Sequence, residues 1–174
     1  MAINQDFNIL DFNDTIHGNE GHAEMTTYHG GKRSSRTLFE CKEVETNAEL
    51  LSVDGKTMGK RAQQSKPDGI SYSGKLTGYR GTNDFVQMLV EYKETGRLRV
   101  FDLFIENRDN NSSITDTERG GKPYQVGIYG CKLKGNIPII ALLSGDAAME
   151  FELEFTFQNF EILSYYGQPA AFIL

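Results

Sequence analysis

The chain has 174 residues, of which 39% are hydrophobic and 24% charged, enough for one globular domain without a metal or disulfide staple and too few for a second. Its 18 basic and 24 acidic residues give a formal net charge of −6, which argues against a nucleic-acid-binding protein. The longest apolar run, Ile137–Leu143, is interrupted by Pro138 and falls far short of the roughly 20 residues that cross a bilayer. The N-terminus has no signal-peptide pattern, so we expect a cytoplasmically made domain without a membrane span.

The remaining composition favours a β-rich fold. The chain has 18 glycines, 8 tyrosines, 11 phenylalanines and no tryptophan, which is typical of short elements joined by tight turns. Its two cysteines, Cys41 and Cys131, lie far apart in apolar segments, so we predict small buried side chains rather than a disulfide.

The first part of the chain is predicted to contain two paired strands and a long connection. Residues 1–20 are polar with scattered apolar positions and are predicted to be an arm that orders only against another surface. Strands are predicted over His22–Tyr28 and Arg36–Thr46, joined by a Gly-Gly turn. Residues 47–68 contain two Asp-Gly turns and several basic residues, which predicts a long, basic, exposed loop, either functional or disordered.

The middle of the chain contains the one predicted helix. Apolar and polar residues alternate over Ile70–Tyr79, as in a strand with one wet face. Asn83–Thr95 then has apolar residues at helical spacing, with a glycine stop directly after it. The segment LRVFDLFIE has little that could face water, so we predict a central strand beneath the helix. Residues 107–123 hold little that could pack and are predicted to be a mobile polar loop.

Three apolar-patterned segments complete the predicted fold. Tyr124–Leu133 is predicted to be a strand with a glycine-permitted bulge, and Ile137–Leu143 a buried run. Over Met149–Gln158 apolar and polar residues alternate strictly, and a change of phase at Asn159 predicts a bulge or bend. The apolar C-terminus is predicted to dock on this core or on a neighbouring subunit.

The sequence contains no recognisable catalytic or cofactor motif. His17, His22 and His29 have spacings that match no helical or hairpin metal site. The segment GISYSG lacks the second glycine of a nucleophile elbow, and the SGK that overlaps it lacks the flanking residues of a phosphate loop. We therefore predict that the protein is not an enzyme and needs no metal or cofactor.

A row of glutamates leaves one chemical alternative open. Glu150, Glu152 and Glu154 stand about 6.6 Å apart on one strand face, so a carboxylate-based hydrolase is a hypothesis. A row of like charges is more often a solvated face, or pairs with lysines such as Lys132 and Lys134 at the same spacing. Residues 135–174 carry five acidic and no basic residues, so most of the excess charge is local to this end of the chain.

Four segments together carry a family resemblance. They are MGKR at Met58–Arg61, GISYSGKLTGY at Gly69–Tyr79, the helix DFVQMLVEY directly after it, and FTFQNFEIL at Phe155–Leu163. In this order and spacing, over about residues 15–163, the chain resembles the tail tube protein of contractile-tailed phages and of phage-tail-like bacteriocin particles.

The resemblance implies a mainly β fold, a β-sandwich or small barrel with one flanking helix, whose inner strands join a multi-subunit barrel in a hexameric ring. The implied lumen strands are about Thr37–Asn47, Ile70–Tyr79, Tyr124–Leu133 and Met149–Gln158, with the helix outside. The residues implied to face the lumen are Ser71, Ser73, Lys75, Thr77, Glu150, Glu152 and Glu154. The loop of residues 47–68 would reach the next ring, through Met58, Gly59, Lys60, Arg61 and Lys66.

The function implied by the resemblance is mechanical. Stacked rings would form the inner tail tube inside a contractile sheath, a conduit for DNA or, in a DNA-free particle, a membrane-puncturing tube. A polar, mostly acidic wall would keep DNA from adhering. The implied partners are further copies of the chain, the tail sheath, the tape measure protein and the baseplate, with DNA as a transient passenger and no membrane binding by the monomer. The implied location is a virion tail or tail-like particle assembled in the bacterial host cytoplasm. The alternatives are a tail terminator or baseplate component and the hydrolase named above.

Overall fold

The computed structural model describes residues 15–145 and 147–167, and these are mainly β with one helix. The predicted arm lies mostly outside this range, as does the apolar C-terminus. The elements in chain order are β1 (His22–His29), β2 (Lys32–Thr37), β3 (Cys41–Gly55), β4 (Gln64–Tyr79), α1 (Asp84–Thr95), β5 (Phe101–Asn107), β6 (Tyr124–Lys134), β7 (Glu150–Thr156) and β8 (Asn159–Ser164).

All eight strands belong to one antiparallel sheet. Its order is β2-β1-β5-β6-β7-β4-β3, and β8 pairs with β6 beside this path. Strand β6 belongs to both halves, because its first part pairs with β5 and β8 while Lys132–Lys134 pair with β7. The end strands β2 and β3 do not pair, so the expected mainly β fold is confirmed as an open sheet rather than a closed small barrel.

A bulge in β6 marks the point where the chain passes from one half of the sheet to the other. Two residues of β6, Tyr129 and Gly130, face the single residue Asp102 of β5. Gly130 has a φ of +69°, which favours glycine, and its amide donates to the Asp102 carboxylate at 2.9 Å. The predicted glycine-permitted bulge is therefore confirmed.

The core lies between the two halves of the sheet and α1. Phe101 of β5 contacts Phe155 of β7, with ring centroids 6.1 Å apart, and Phe85 of α1 contacts Phe101 at 6.4 Å. Both cysteines are free; Cys131 lies in this core, where burial raises its pKa to about 12, and Cys41 is half-buried. The prediction of packed thiols without a disulfide is confirmed.

The helix matches its sequence pattern. Phe85 and Met88 are buried, and Gly96 ends α1 in a left-handed conformation with its amide bonded to the Tyr92 carbonyl at 2.8 Å. No helix in the described ranges is long and apolar enough to span a membrane.

An ion-pair network fixes α1 to the corner between β2 and β3. The Arg36 guanidinium donates to Asp84 at the helix start and to the buried Glu40 carboxylate, which also accepts from the Thr82 hydroxyl at 2.9 Å. Burial alone would raise the pKa of Glu40, but the hydrogen bonds from Arg36 and Thr82 outweigh it and lower that pKa.

The strand predicted over Arg36–Thr46 is wrong in one respect, because it is two strands separated at Leu38–Glu40. The Leu38 amide bonds to the Ala23 carbonyl of β1, and the Glu40 carbonyl accepts from the Tyr79 amide of β4, both at 2.8 Å. The chain therefore crosses from one half of the sheet to the other at this corner.

The predicted loop of residues 47–68 is also wrong. Strands β3 and β4 continue through most of it as a long hairpin, in which only residues 56–63 lie outside the strands. All residues from 47 to 71 are exposed, so neither strand shows the alternation of a half-buried strand. Beyond residue 47, this β3–β4 hairpin is therefore held by the backbone pairing of its two strands.

Residues 107–123 were expected to hold little that packs, and this is wrong because Asp109, Ser112 and Thr115 are buried. The Asp109 carboxylate accepts from the amides of His17 at 2.8 Å and Asn111 at 2.9 Å, and these backbone bonds lower the pKa of Asp109. Polar side chains here satisfy backbone groups instead of forming an apolar core.

The bend predicted at Asn159 is confirmed, whereas burial of the run Ile137–Leu143 is wrong. After β7 the chain leaves β4 and pairs with β6 as β8. In the run, Ile137 packs against the core, but Ile139, Ile140, Leu142 and Leu143 are exposed. They lie in no described strand or helix, and their exposure shows that no described element covers them.

Candidate assembly surfaces

The predicted lumen residues lie together on one face of the sheet. In the register between β4 and β7, Lys75 lies opposite Glu154, Thr77 opposite Glu152 and Ser73 opposite Thr156. Directly opposed residues of an antiparallel pair share a face. Ser71, Ser73, Lys75, Thr77, Glu150, Glu152 and Glu154 therefore form one surface, which we call the polar face; the buried residues of β4 and β7, such as Leu76 and Leu153, lie on the other side.

Two neighbouring strands extend the polar face: β3 with glutamates that the sequence analysis did not identify, and β6 with the two lysines that it named as candidate partners of the glutamate row. Strand β3 adds Glu43, Glu45 and Glu49, opposite Thr77, Lys75 and Ser71, and β6 adds Lys132 and Lys134. Only the strand register assigns them to this face. Lys42 also reaches this face, where it contacts Glu150. The polar face then has six glutamates and four lysines, which give it a net charge of −2. It is therefore mixed in charge, rather than the mostly acidic surface that was expected.

Lysines partly neutralise the glutamate row. The Lys42 ammonium lies 2.9 Å from the Glu150 carboxylate, and the Lys75 ammonium lies 3.1 Å from that of Glu152. Each hydrogen bond to its glutamate, reinforced by Coulomb attraction, raises the pKa of the lysine. The ion-pair partners of Glu150 and Glu152 are thus Lys42 and Lys75, rather than the expected Lys132 and Lys134.

The described residues form no metal centre that would give this surface another chemistry. Among residues 15–145 and 147–167, no three or more His, Cys, Asp or Glu side chains are grouped to hold a metal ion. The glutamate row lies on an open sheet face, and none of its three residues lines the cavity of about 550 Å³ beside His22, Cys41 and Glu106. The three glutamates are therefore part of an open, charged surface.

The β3–β4 hairpin is the second candidate surface. Its strands extend about 25 Å beyond residue 47, at about 3.3 Å per residue, and its tip turns at Gly59, whose φ is +82°. The five predicted contact residues lie on this hairpin. Met58, Gly59, Lys60 and Arg61 lie at its tip, and Lys66 lies in β4, opposite Val53 of β3. All five are exposed.

Comparison with known proteins identifies the family. The model of the phage tail tube protein family matches residues 8–164. The chain belongs to the phage tail tube protein family. A curated relative, the phage-like element PBSX protein XkdM of Bacillus subtilis (strain 168), is 30% identical over 149 residues, which are 85% of this chain and 90% of that protein.

Solved structures of tail-like particles share the tail tube fold. A chain of the anti-feeding prophage tube-terminating cap aligns with a TM-score of 0.59 at 8% identity, covering 95% of this chain and 100% of that one. A chain of the anti-feeding prophage baseplate gives 0.54 at 8% identity (81% and 91% covered). A chain of an extracellular contractile injection system, in its extended sheath–tube complex, gives 0.53 at 9% identity (82% and 88%).

The family resolves three of the sequence-based expectations. The resemblance to tail tube proteins is confirmed, and the protein is a structural component of a phage tail or phage-tail-like particle. Because this is a family of structural tail proteins and not of enzymes, the hydrolase hypothesis loses its support.

Proposed function

We propose that the chain forms hexameric rings that stack into the inner tail tube, with the polar face lining the lumen. The observation that carries the proposal is the half-sheet of four adjacent strands, β6-β7-β4-β3. One face of this half-sheet is apolar and packs on the core, the other face is polar, and the outer edge of β3 is unpaired. Strands β3, β4 and β7 overlap segments that the family resemblance assigned to the lumen. Of the assigned segment Tyr124–Leu133, only the end, from Lys132, belongs to this half of the sheet.

The proposal gives the polar face a role. Its side chains are exposed or half-buried, and no described element of the chain covers them. A water-filled channel keeps such a surface hydrated, whereas burying ten charged side chains in a protein interface would be costly. Six copies would give a ring of lumen charge of about −12, a weak repulsion that keeps DNA from adhering.

The free edge of β3 supports ring formation. It presents the unpaired backbone groups of a 15-residue strand, which soluble proteins usually cover. Pairing with the β6 side of the next copy would close a cylinder of roughly 24 strands. At a spacing of about 4.8 Å and a tilt of about 40°, its backbone diameter is about 48 Å. Side chains extending about 5 Å from each wall leave a lumen about 38 Å wide, enough for a DNA duplex.

The β3–β4 hairpin would connect successive rings. Met58, Gly59, Lys60 and Arg61 at its tip and Lys66 on its flank would contact the adjacent ring. Helix α1 would face outward, toward the tail sheath. The tape measure protein and DNA would occupy the lumen in turn, and the baseplate would contact the end of the tube.

Electron microscopy of the purified protein tests the assembly. The proposal expects hollow tubes with a lumen of about 38 Å, from the strand geometry above. Because a tube-terminating cap and a baseplate chain share the fold, a terminator or baseplate component is the second candidate. Single rings that never stack would favour that candidate.

Charge reversal tests the lumen assignment. Changing Glu150, Glu152 and Glu154 together to lysine should leave tubes intact but make them retain duplex DNA, in a salt-dependent manner. Changing the exposed Glu94, Glu118 and Glu161 to lysine is the matched control, because it alters the net charge equally away from the polar face. Equal DNA retention by the two variants would contradict the lumen assignment.

A further inference from the structure

The run Ile137–Leu143 is the most apolar exposed segment in the described part of the chain. Ile140 is 76% and Leu142 is 87% exposed, and Ile139 and Leu143 are nearly as accessible. No charged residue occurs between Gly135 and Gly145. An exposed, uncharged patch of this kind marks a protein interface rather than a solvated loop.

The backbone of this run is also unpaired. It belongs to no described strand or helix, and within the described ranges no backbone–backbone hydrogen bond involves residues 137–143. Three isoleucines and a high apolar content suit an extended strand. The run therefore has exposed side chains and, apart from the Pro138 nitrogen, unpaired backbone groups available for strand addition to an exposed sheet edge.

The β3–β4 hairpin offers a complementary surface. On its core-side face Leu76 is 2% exposed, whereas Ile70 is 51% and its cross-strand neighbour Leu50 is 73% exposed. The apolar face of the sheet thus continues past the body of the molecule. Beside it is the free outer edge of β3, with unpaired backbone groups of its own.

Strand order places these two features at opposite ends of the four-strand half-sheet. The run follows β6 directly, after a turn at Gly135, and β3 is the last strand at the other end. In an edge-to-edge ring the β6 end of each copy lies beside β3 of its neighbour. We propose, on the basis of the tube function above, that the run Ile137–Leu143 of one copy adds as a strand to the outer edge of β3 in a second copy. It would use the part of that edge beyond residue 47, leaving the earlier part to the β6 side, and would pack its side chains on Leu50 and Ile70.

Paired substitutions test this contact. Changing Ile140 and Leu142 to lysine should leave the thermal melt of the monomer unchanged, since both side chains are exposed. It should raise the critical concentration for assembly about a hundredfold or more, because burial of each of the two aliphatic side chains contributes about one factor of ten or more. Changing the exposed Val90 and Tyr92 of α1 to lysine is the control and should permit normal assembly.

Cross-linking tests the partner of the run. A chain with Leu50→Cys mixed with a chain with Leu142→Cys should give a dimer with a short bismaleimide under assembly conditions, and neither chain alone should do so. Normal tubes from the Ile140 and Leu142 variant, equal loss of assembly in the Val90 and Tyr92 control, or no cross-link within wild-type-like tubes would each overturn the contact while leaving the tube function standing. Failure of the unmodified chain to form any ordered assembly would overturn the tube function and this contact with it.

Discussion

Gly74 is the position where the fold depends most directly on the absence of a side chain. It lies in β4 opposite Phe155 of β7, and a Cβ there would lie 2.6 and 2.9 Å from the Cε2 and Cε1 atoms of that ring. Carbon atoms prefer separations of about 3.5–4.0 Å. The ring cannot withdraw easily, because Phe155 is buried and packed against Phe101 and Phe157.

Gly74→Ala should therefore destabilise the protein by about 1–3 kcal/mol, the usual cost of overpacking a core. For a protein of this size that corresponds to a decrease in Tm of about 2–12 °C. Gly55→Ala is the matched control, since nothing lies within 4 Å of a Cβ at that end of β3. There the lower entropy of the unfolded chain should stabilise the protein by up to about 1 kcal/mol.

Urea and thermal unfolding followed by circular dichroism measure both changes. A double-mutant cycle with Phe155→Leu identifies the cause, because the smaller side chain leaves space for the new methyl group. Gly74→Ala should then cost less in the Phe155→Leu background than in the wild-type chain. An equal cost in the two backgrounds, or a Gly74→Ala variant as stable as Gly55→Ala, would refute the steric argument.

Three further predictions concern the polar loop, the β2–β3 corner and the cysteines. Asp109→Ala should lower the free energy of unfolding by about 1–3 kcal/mol in urea titrations, because it removes two partly buried hydrogen bonds, from the amides of His17 and Asn111. Asn110→Ala should be nearly neutral. Since the folded pKa of Glu40 is lowered, its stabilising contribution should be present at neutral pH and lost as pH falls below about 5 through the folded pKa. The Glu40→Gln variant should be less stable than the wild-type chain at pH 7 and should lose less stability in acid. Identical pH dependence of the free energy of unfolding in the two proteins would contradict this. Cys131, with a pKa raised to about 12, should resist alkylation until the protein unfolds, and mass spectrometry should find Cys41 modified first.

Local periodicity predicted the elements that have one buried and one exposed face. Strand β7 and helix α1 are of this kind, because alternation or helical spacing of their apolar residues reflects contact with a single core. The bend before Asn159 could be predicted for the same reason, since a change of phase in the pattern means a change of face.

The features that could not be predicted depend on distant parts of the chain. The β3–β4 hairpin has no buried face beyond residue 48, so only its backbone pairing makes it a sheet. The polar loop is held by hydrogen bonds such as that from the His17 amide to Asp109, 92 positions apart. The alignment of Glu43 and Glu45 with the glutamates of β7 requires the register of three strands. The run Ile137–Leu143 suggested burial, yet nothing in the described part of this chain covers it.

A helical reconstruction of assembled tubes by cryo-electron microscopy tests the central claim most directly. The account predicts six-fold symmetry, a continuous inner barrel of about 24 strands and the side chains of Ser73, Lys75 and Glu152 pointing toward the axis. A tube whose polar face points outward, or whose lumen is built from β1, β2 and β5, would contradict it.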